Sequence, residues 1–268
     1  MNGCRSDAIR REGGLLVKRL DSKRALIIGG GGDGIGRAIT RSFSAEGAVV
    51  VVADAQPDRA AEAVDEVRGR GAEAFAVTGD VRSPAELGDM ISRAVADCGG
   101  LDTLVTVVGG QVAFVPAVRL HEMRDEDWDT VYELNLRYVA RAVRAVLPTF
   151  LGQGGGSVVS VGSVTGLMAA PRQAAYGVSK AGLVSLARTV SAEYAAEGIR
   201  MNVVAGGAIA TSVNPAPDSP VPEIPAGRYG TVDEIAEAVV YLASDAAAYI
   251  SGQQLVIDGG VSSRGPFG

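Results

Sequence analysis

The stretch Ala25-Leu26-Ile27-Ile28-Gly29-Gly30-Gly31-Gly32-Asp33-Gly34-Ile35-Gly36-Arg37-Ala38-Ile39 decides how the rest of the chain is read. Four aliphatic residues bounded by turn signals predict a buried strand. The glycines predict a turn whose backbone closely approaches another group, because residues without Cβ leave that room. The segment Gly36 to Glu46 predicts a helix, whose free N–H groups then face the turn and favour an anion there. An acid closing the next strand, Asp54 in Val51-Val52-Ala53-Asp54, completes a pattern that fits a dinucleotide. Its pyrophosphate would lie on Gly30, Gly32, Asp33, Gly34, Ile35 and Gly36, and Asp54 would accept the adenosine ribose hydroxyls. A 2′-phosphate beside that carboxylate would bring like charges together, so NAD is expected over NADP. Asp33 is expected to add a second negative charge near the same ribose.

Working outward, apolar runs recur at Ala25 to Ile28, Val49 to Ala53, Ala74 to Val77, Thr103 to Val108, Val158 to Val161, Ile199 to Ala205 and Leu255 to Ile257. Val49-Val50-Val51-Val52 is apolar at every position, as a strand covered on both faces requires. Helices are predicted between them at Gly36 to Glu46, Asp58 to Arg70, Pro84 to Cys98, Asp125 to Leu151, Ala174 to Glu197 and Thr231 to Leu242. Strands alternating with helices predict an α/β fold: a Rossmann-like, doubly wound parallel seven-stranded sheet with helices on both faces. A single domain is expected over residues 21–268, after a flexible tail over 1–20. Five prolines between Ser212 and Ala226 predict a surface loop.

The 268 residues carry 25 Lys plus Arg against 31 Asp plus Glu, a net charge of −6, which argues against a nucleic-acid binder. Cys4 and Cys98 have no metal-ligand spacing, so no metal site is expected and a reducing, cytoplasmic setting is the default. No run of about 18 uncharged apolar residues predicts a membrane span. The one histidine, His121, reads as a solvated residue at a helix start.

Chemistry enters at Tyr176-Gly177-Val178-Ser179-Lys180. With seven tyrosines and only three lysines in the chain, this spacing is rare by chance. On a helix, residues i and i+4 share a face, so phenol and ammonium project together. A lysine charge about 5 Å away favours phenolate by roughly 3 kcal/mol at an effective dielectric of about 20, or about two pKa units. Tyr176 is therefore expected to exchange protons near neutral pH.

Together these features resemble the short-chain dehydrogenase/reductase family from about Leu20 to Gly260. The glycine turn, the acid after the second strand, a serine thirteen residues before Tyr176 and the closing Ile257-Asp258-Gly259-Gly260 stand in that family's order. The resemblance implies a catalytic Ser163 that holds the substrate oxygen, with Tyr176 exchanging its proton. It implies that Lys180 lowers the Tyr176 pKa and binds the nicotinamide ribose, and that Asn135 holds a relay water. It places Asp80 and Val81 beside the adenine, Gly109 at the adenosine ribose, and Ile209 and Thr211 at the nicotinamide carboxamide. Gln111, Val164 and Gln173 fall at candidate substrate positions, as do Val112, Phe114, Leu167 and Met168; their largely apolar character favours a hydrophobic alcohol, while Gln111, Arg172 and Gln173 leave polyols and sugars open.

Three departures bear on rigidity. Gly29 replaces the family's threonine, Thr106-Val107-Val108-Gly109 replaces Asn-Asn-Ala-Gly, and Gly206 replaces a proline. The glycine turn is thus expected to be held by other contacts, with Thr106 a candidate, and the start of the substrate loop to be looser. The function expected is NAD-dependent interconversion of a secondary alcohol and a ketone. The alternatives are a 3-oxoacyl thioester reductase and a non-catalytic NAD-binding sensor. Mean hydropathy of +0.19 with 5% aromatic residues favours association, and the resemblance implies a homotetramer or homodimer through the two long helices.

Overall fold

The computed structural model describes residues 18–265. Seven strands form one parallel sheet in the order β3-β2-β1-β4-β5-β6-β7. They are β1 (Arg24–Ile28), β2 (Val49–Asp54), β3 (Ala74–Thr78), β4 (Thr103–Thr106), β5 (Gly156–Ser163), β6 (Ile199–Gly206) and β7 (Gln254–Ile257). Every apolar run read as a strand is one. Alternate residues of each strand serve opposite faces, so Val50 and Val52 pack in one core while Val51 and Ala53 pack in the other.

Helices α1 (Ile35–Ala45), α2 (Pro57–Arg68) and α7 (Val232–Ala243) cover the first face through Ile39, Phe43, Val64, Val67 and Val239. Helices α3 (Pro84–Cys98), α5 (Tyr138–Gln153) and α6 (Ala174–Tyr194) cover the second through Met90, Ile91, Tyr138, Val146 and Leu183. Their ends follow local chemistry. Ser83 caps α3 by accepting from the Glu86 amide, Pro84 occupies its first turn, and Gly99 closes it at φ 66°, in the left-handed region that favours glycine. Among the described residues, no helix is long and apolar enough to cross a membrane.

The long helix expected over Asp125 to Leu151 is divided into α4 (Asp125–Tyr132), a π-turn (Glu133–Arg137) and α5. Strand β4 stops at Thr106, two residues early, because the chain turns away through Gly109 and Gly110 to reach α4. The boundary at residue 20 also moves. Leu20 is fully buried, its amide donates to the Glu46 carbonyl, and Arg19 pairs with Glu46 and Glu237, so these residues belong to the domain. Residues 1–17 of the expected tail lie outside the described residues. Nor is the start of the substrate loop loose, since Gly206 is laddered to both Ser163 and Ile257 and the Gly207 amide donates to the Ile257 carbonyl at 2.9 Å.

Strand order reverses between β1 and β4, which leaves a crevice at the carboxyl ends of the strands. Ligands of open α/β sheets bind at such a point.

Candidate active site

The glycine turn joins β1 to α1 at that crevice. Helix α1 has no side-chain cap and no acidic residue in its first turn, so its leading N–H groups remain available to an anion. Close approach fixes the glycines. A Cβ on Gly36 would overlap the Gly29 carbonyl, and one on Gly31 would lie 2.9 Å from both the Asp54 carboxylate and the Arg59 backbone. Gly31, absent from the expected contacts, is thus the loop residue pressed against the acid. Gly30 is buried under the turn, where a Cβ would meet Thr40 Oγ1 at 2.8 Å.

The turn is not braced by Thr106, whose hydroxyl donates to Ser160 Oγ at 2.8 Å inside the sheet. Instead the Arg37 guanidinium donates twice to the Gly31 carbonyl at 2.7 and 3.1 Å, Thr40 donates to the Gly30 carbonyl, and the Gly29 amide donates to the Ala53 carbonyl. Asp33 is also displaced from its expected place. It shares a cleft with Arg37, Arg41, Thr211 and Ser212, and Ser212 donates to its backbone carbonyl. Asp54 lines a separate cleft of about 330 Å³ with Asp80, Val81, Met90 and Val108. Phe114 lines that cleft too, rather than the substrate side.

The candidate catalytic side chains gather at the end of β5 and the start of α6. Ser163 ends β5 with its Oγ accepting from the Thr165 amide at 3.2 Å, whereas Ser157 and Ser160 are buried within the same strand. Tyr176 and Lys180 lie one turn apart on α6, with Lys180 Nζ 5.5 Å from the Tyr176 ring centroid. The intervening Val164–Gly166 turn wedges onto α6: a Cβ on Gly166 would lie 2.7 Å from the Lys180 backbone, and one on Gly177 2.9 Å from the Thr165 carbonyl. Those two glycines fix how Ser163 faces Tyr176, and their ordinary spacing gave no sign of it.

Electrostatics reverse one expectation. Burial pushes the Tyr176 phenol above its ordinary value, and the hydrogen bond with Ser163 only partly opposes it. Burial also brings the Lys180 ammonium down to about 8. Desolvation penalises both charged forms, and Lys180 directs its ammonium at the Val161 carbonyl, 2.9 Å away. In this state the lysine does not bring the phenol toward neutrality.

Asn135 is fully buried in the π-turn. Its Nδ2 donates to the Gly110 and Val131 carbonyls, both at 2.8 Å, and its Oδ1 accepts from the Gly110 amide at 2.9 Å. The side chain therefore braces the segment after β4; both amide hydrogens are committed to backbone carbonyls rather than to a relay. Gly109 faces this catalytic corner, not the adenosine cleft: a Cβ there would lie 2.5 Å from Asn135 Oδ1 and 3.1 Å from Lys180 Nζ.

Ile209 is buried in the core beside Ile235, and Asn214 donates to its carbonyl, whereas Thr211 borders the glycine turn. Val164 and Gln173 are half-buried beside Ser163 and Tyr176. Gln111 departs from its expected place in an open pocket. It is buried, and its amide donates to the carbonyl of Arg172, a residue held at φ 67°.

A parallel doubly wound sheet with this serine, tyrosine and lysine at its carboxyl edge defines a class of oxidoreductase, and comparison with known proteins agrees. The family profile described as Enoyl-(acyl carrier protein) reductase matches residues 30–262. The 3-oxoacyl-(acyl-carrier-protein) reductase FabG of Escherichia coli (strain K12) is 35% identical over 246 residues, 90% of this chain and 98% of that one. A 7α-hydroxysteroid dehydrogenase solved with NADH and 7-oxo glycochenodeoxycholic acid is 33% identical at a TM-score of 0.83, covering 91% and 96% of the two chains. Carveol dehydrogenase from Mycobacterium avium, solved with NAD, is 28% identical at a TM-score of 0.86, covering 92% and 100%. The chain belongs to the short-chain dehydrogenase/reductase family and is an oxidoreductase of that family.

Proposed function

We propose that the chain is an NAD-dependent oxidoreductase interconverting a secondary alcohol and a ketone, with Tyr176 as acid and base. The observation that carries this reading is the convergence of Ser163, Tyr176 and Lys180 at the strand ends that also hold a glycine turn too tight for a Cβ at Gly29, Gly30, Gly31 or Gly36. The turn and the open end of α1 fit a pyrophosphate, and Asp54 fits ribose hydroxyls. The bound nicotinamide supplies the hydride acceptor for alcohol oxidation. Ser163 Oγ holds the substrate hydroxyl, and Tyr176, as the phenolate that the Lys180 charge steadies, takes its proton and becomes the neutral phenol. In ketone reduction Tyr176 returns that proton.

The acid at Asp54 supports NAD, as do the NAD and NADH in two similar solved structures. Exposed Leu167 and Met168, following Ser163, together with Val112 and Val213 support an apolar substrate. Val164 and Gln173 are proposed to line its pocket, and association into a homotetramer or homodimer through α5 and α6 belongs to the same reading. Light scattering that finds a monomer overturns the assembly.

A second reading, reduction of a 3-oxoacyl thioester, is favoured by relatives such as the Escherichia coli reductase. The reaction centre is the same, a ketone and its secondary alcohol, so the test lies in the substrate. NADH formation is measured from cyclic, steroid-like and polyol alcohols and from 3-hydroxyacyl thioesters, with Tyr176→Phe as control. Turnover of free alcohols that is lost in the variant supports the first reading. Turnover confined to thioesters, with a preference for NADP, selects the second. NADH binding without turnover of any class overturns both in favour of a binding role.

A further inference from the structure

We propose that Arg59 grips the pyrophosphate of the bound dinucleotide; this rests on the cofactor reading above. Two clefts meet at the carboxyl edge of β1 and β2. One holds Asp54, Asp80 and Val81, and the other follows the glycine turn from Gly32 to Gly36 toward Ser212. Gly29 and Arg59 are the two residues that border both. A side chain at that junction stands where an adenosine ribose anchored on Asp54 passes into a pyrophosphate laid on α1. From the first turn of α2, Arg59 reaches back over the glycine turn, and its guanidinium lies 3.7 Å from the point where a Gly32 Cβ would be.

The second observation concerns charge. The neighbouring arginines are engaged: Arg37, Arg41 and Arg70 converge on Glu66, and Arg82 pairs with Asp80. Among the described residues, the exposed Arg59 guanidinium has neither a hydrogen bond nor an ion pair, which leaves it available to an anion. The clefts otherwise present the carboxylates of Asp33 and Asp54, which repel a diphosphate. A cation at the junction offsets that repulsion for the anionic portion of NAD.

The test is fluorescence titration of the full chain with NADH and NADPH, and competition by ADP-ribose and adenosine, for wild type and Arg59→Gln, Arg59→Lys and Arg59→Glu. Arg59→Gln is expected to weaken NADH, NADPH and ADP-ribose by a similar factor, about tenfold, and to leave adenosine unchanged. Arg59→Lys should retain most of the affinity and Arg59→Glu should lose more than Arg59→Gln. Matching circular dichroism spectra and melting temperatures establish that the variants fold. A loss confined to NADPH assigns Arg59 to a 2′-phosphate and overturns the proposal, as does unchanged NADH affinity in Arg59→Gln; either leaves the cofactor reading standing. Wild-type protein that binds neither dinucleotide overturns both.

Discussion

Replacing Asn135 tests whether the segment after β4 is held by one amide. In Asn135→Ala the Gly110 N–H, the Gly110 carbonyl and the Val131 carbonyl lose their side-chain partner together. Leaving a buried polar group unpaired costs roughly 1–3 kcal/mol. At Val131 the helical carbonyl keeps the backbone partner of the next turn, so the cost there is the lost bond and the buried space left behind, whereas Gly110 is half-buried and water recovers part of its share. The expected loss is about 2–4 kcal/mol, which lowers Tm by about 5–15 °C in a domain of this size. Thermal and urea denaturation measure it, with NADH titration reporting on the site. Asn135→Asp separates bonding from volume, because the carboxylate fills the same space but offers no hydrogen to either carbonyl. It should be destabilised at neutral pH and recover partly on acidification, when the protonated acid donates one hydrogen bond. An Asn135→Asp protein as stable as wild type at pH 7 refutes the bracing argument, and so does an Asn135→Ala protein whose Tm moves by no more than about one degree.

Other expectations follow from the same geometry. Folded Lys180 releases its proton near 8 while unfolded lysine holds it to about 10.4, so between those values the unfolded state binds more protons and stability rises with pH. Wild type should therefore gain stability over Lys180→Met from pH 8 to 10, by about 2 kcal/mol in urea titrations, and a constant gap counts against the buried charge. Gly31→Ala should weaken NADH binding by about tenfold or more, because the new methyl displaces the Asp54 carboxylate or the turn; unchanged affinity would show that neither needs its present position. Leu20→Ala should cost about 2–5 kcal/mol by chemical denaturation, since Leu20 is core; an effect below about 0.5 kcal/mol would restore the domain boundary expected from sequence.

Most of the sheet was legible because its signal is local. Valine runs such as Val49 to Val52 need no knowledge of their neighbours to read as buried strands, and all seven appear. Ser163, Tyr176 and Lys180 were legible for the same reason, by order and spacing. What escaped depends on distance between segments remote in sequence. Arg59 touches the glycine turn only after α2 has folded back on it, and Gly166 meets Lys180, and Gly177 meets Thr165, only when β5 and α6 are docked. The Tyr176 phenol shows how a correct motif can yield the wrong direction. The i, i+4 spacing supplied a charge at the right distance, but desolvation of both partners is a property of the assembled core, and it dominates.

The same reasoning accounts for the missing brace on the glycine turn. With Gly29 and Val107 in place, no hydroxyl or amide side chain is available there to tie the turn to the segment after β4, and the task passes to α1. Arg37 is buried with its guanidinium on the Gly31 carbonyl and is itself held by Glu66, which also takes Arg41 and Arg70. Burial works to raise the Glu66 pKa, yet hydrogen bonds from Arg41 and Arg37 outweigh it and keep the carboxyl below its ordinary value. The turn is thus fixed from beneath, by α1 and α2 clamped to each other, while Arg59 and Ser212 border its upper surface. The Ser212 to Ala226 loop is tied at its two ends, by Ser212 to the Asp33 carbonyl and Asn214 to Ile209 at one, and by Arg264 to the Pro222 carbonyl, buried Ile224 and Ala226 to Gly259 at the other, and is exposed between them. With the turn held from beneath and the neighbouring loop exposed between its tied ends, loop residues can change without disturbing the turn.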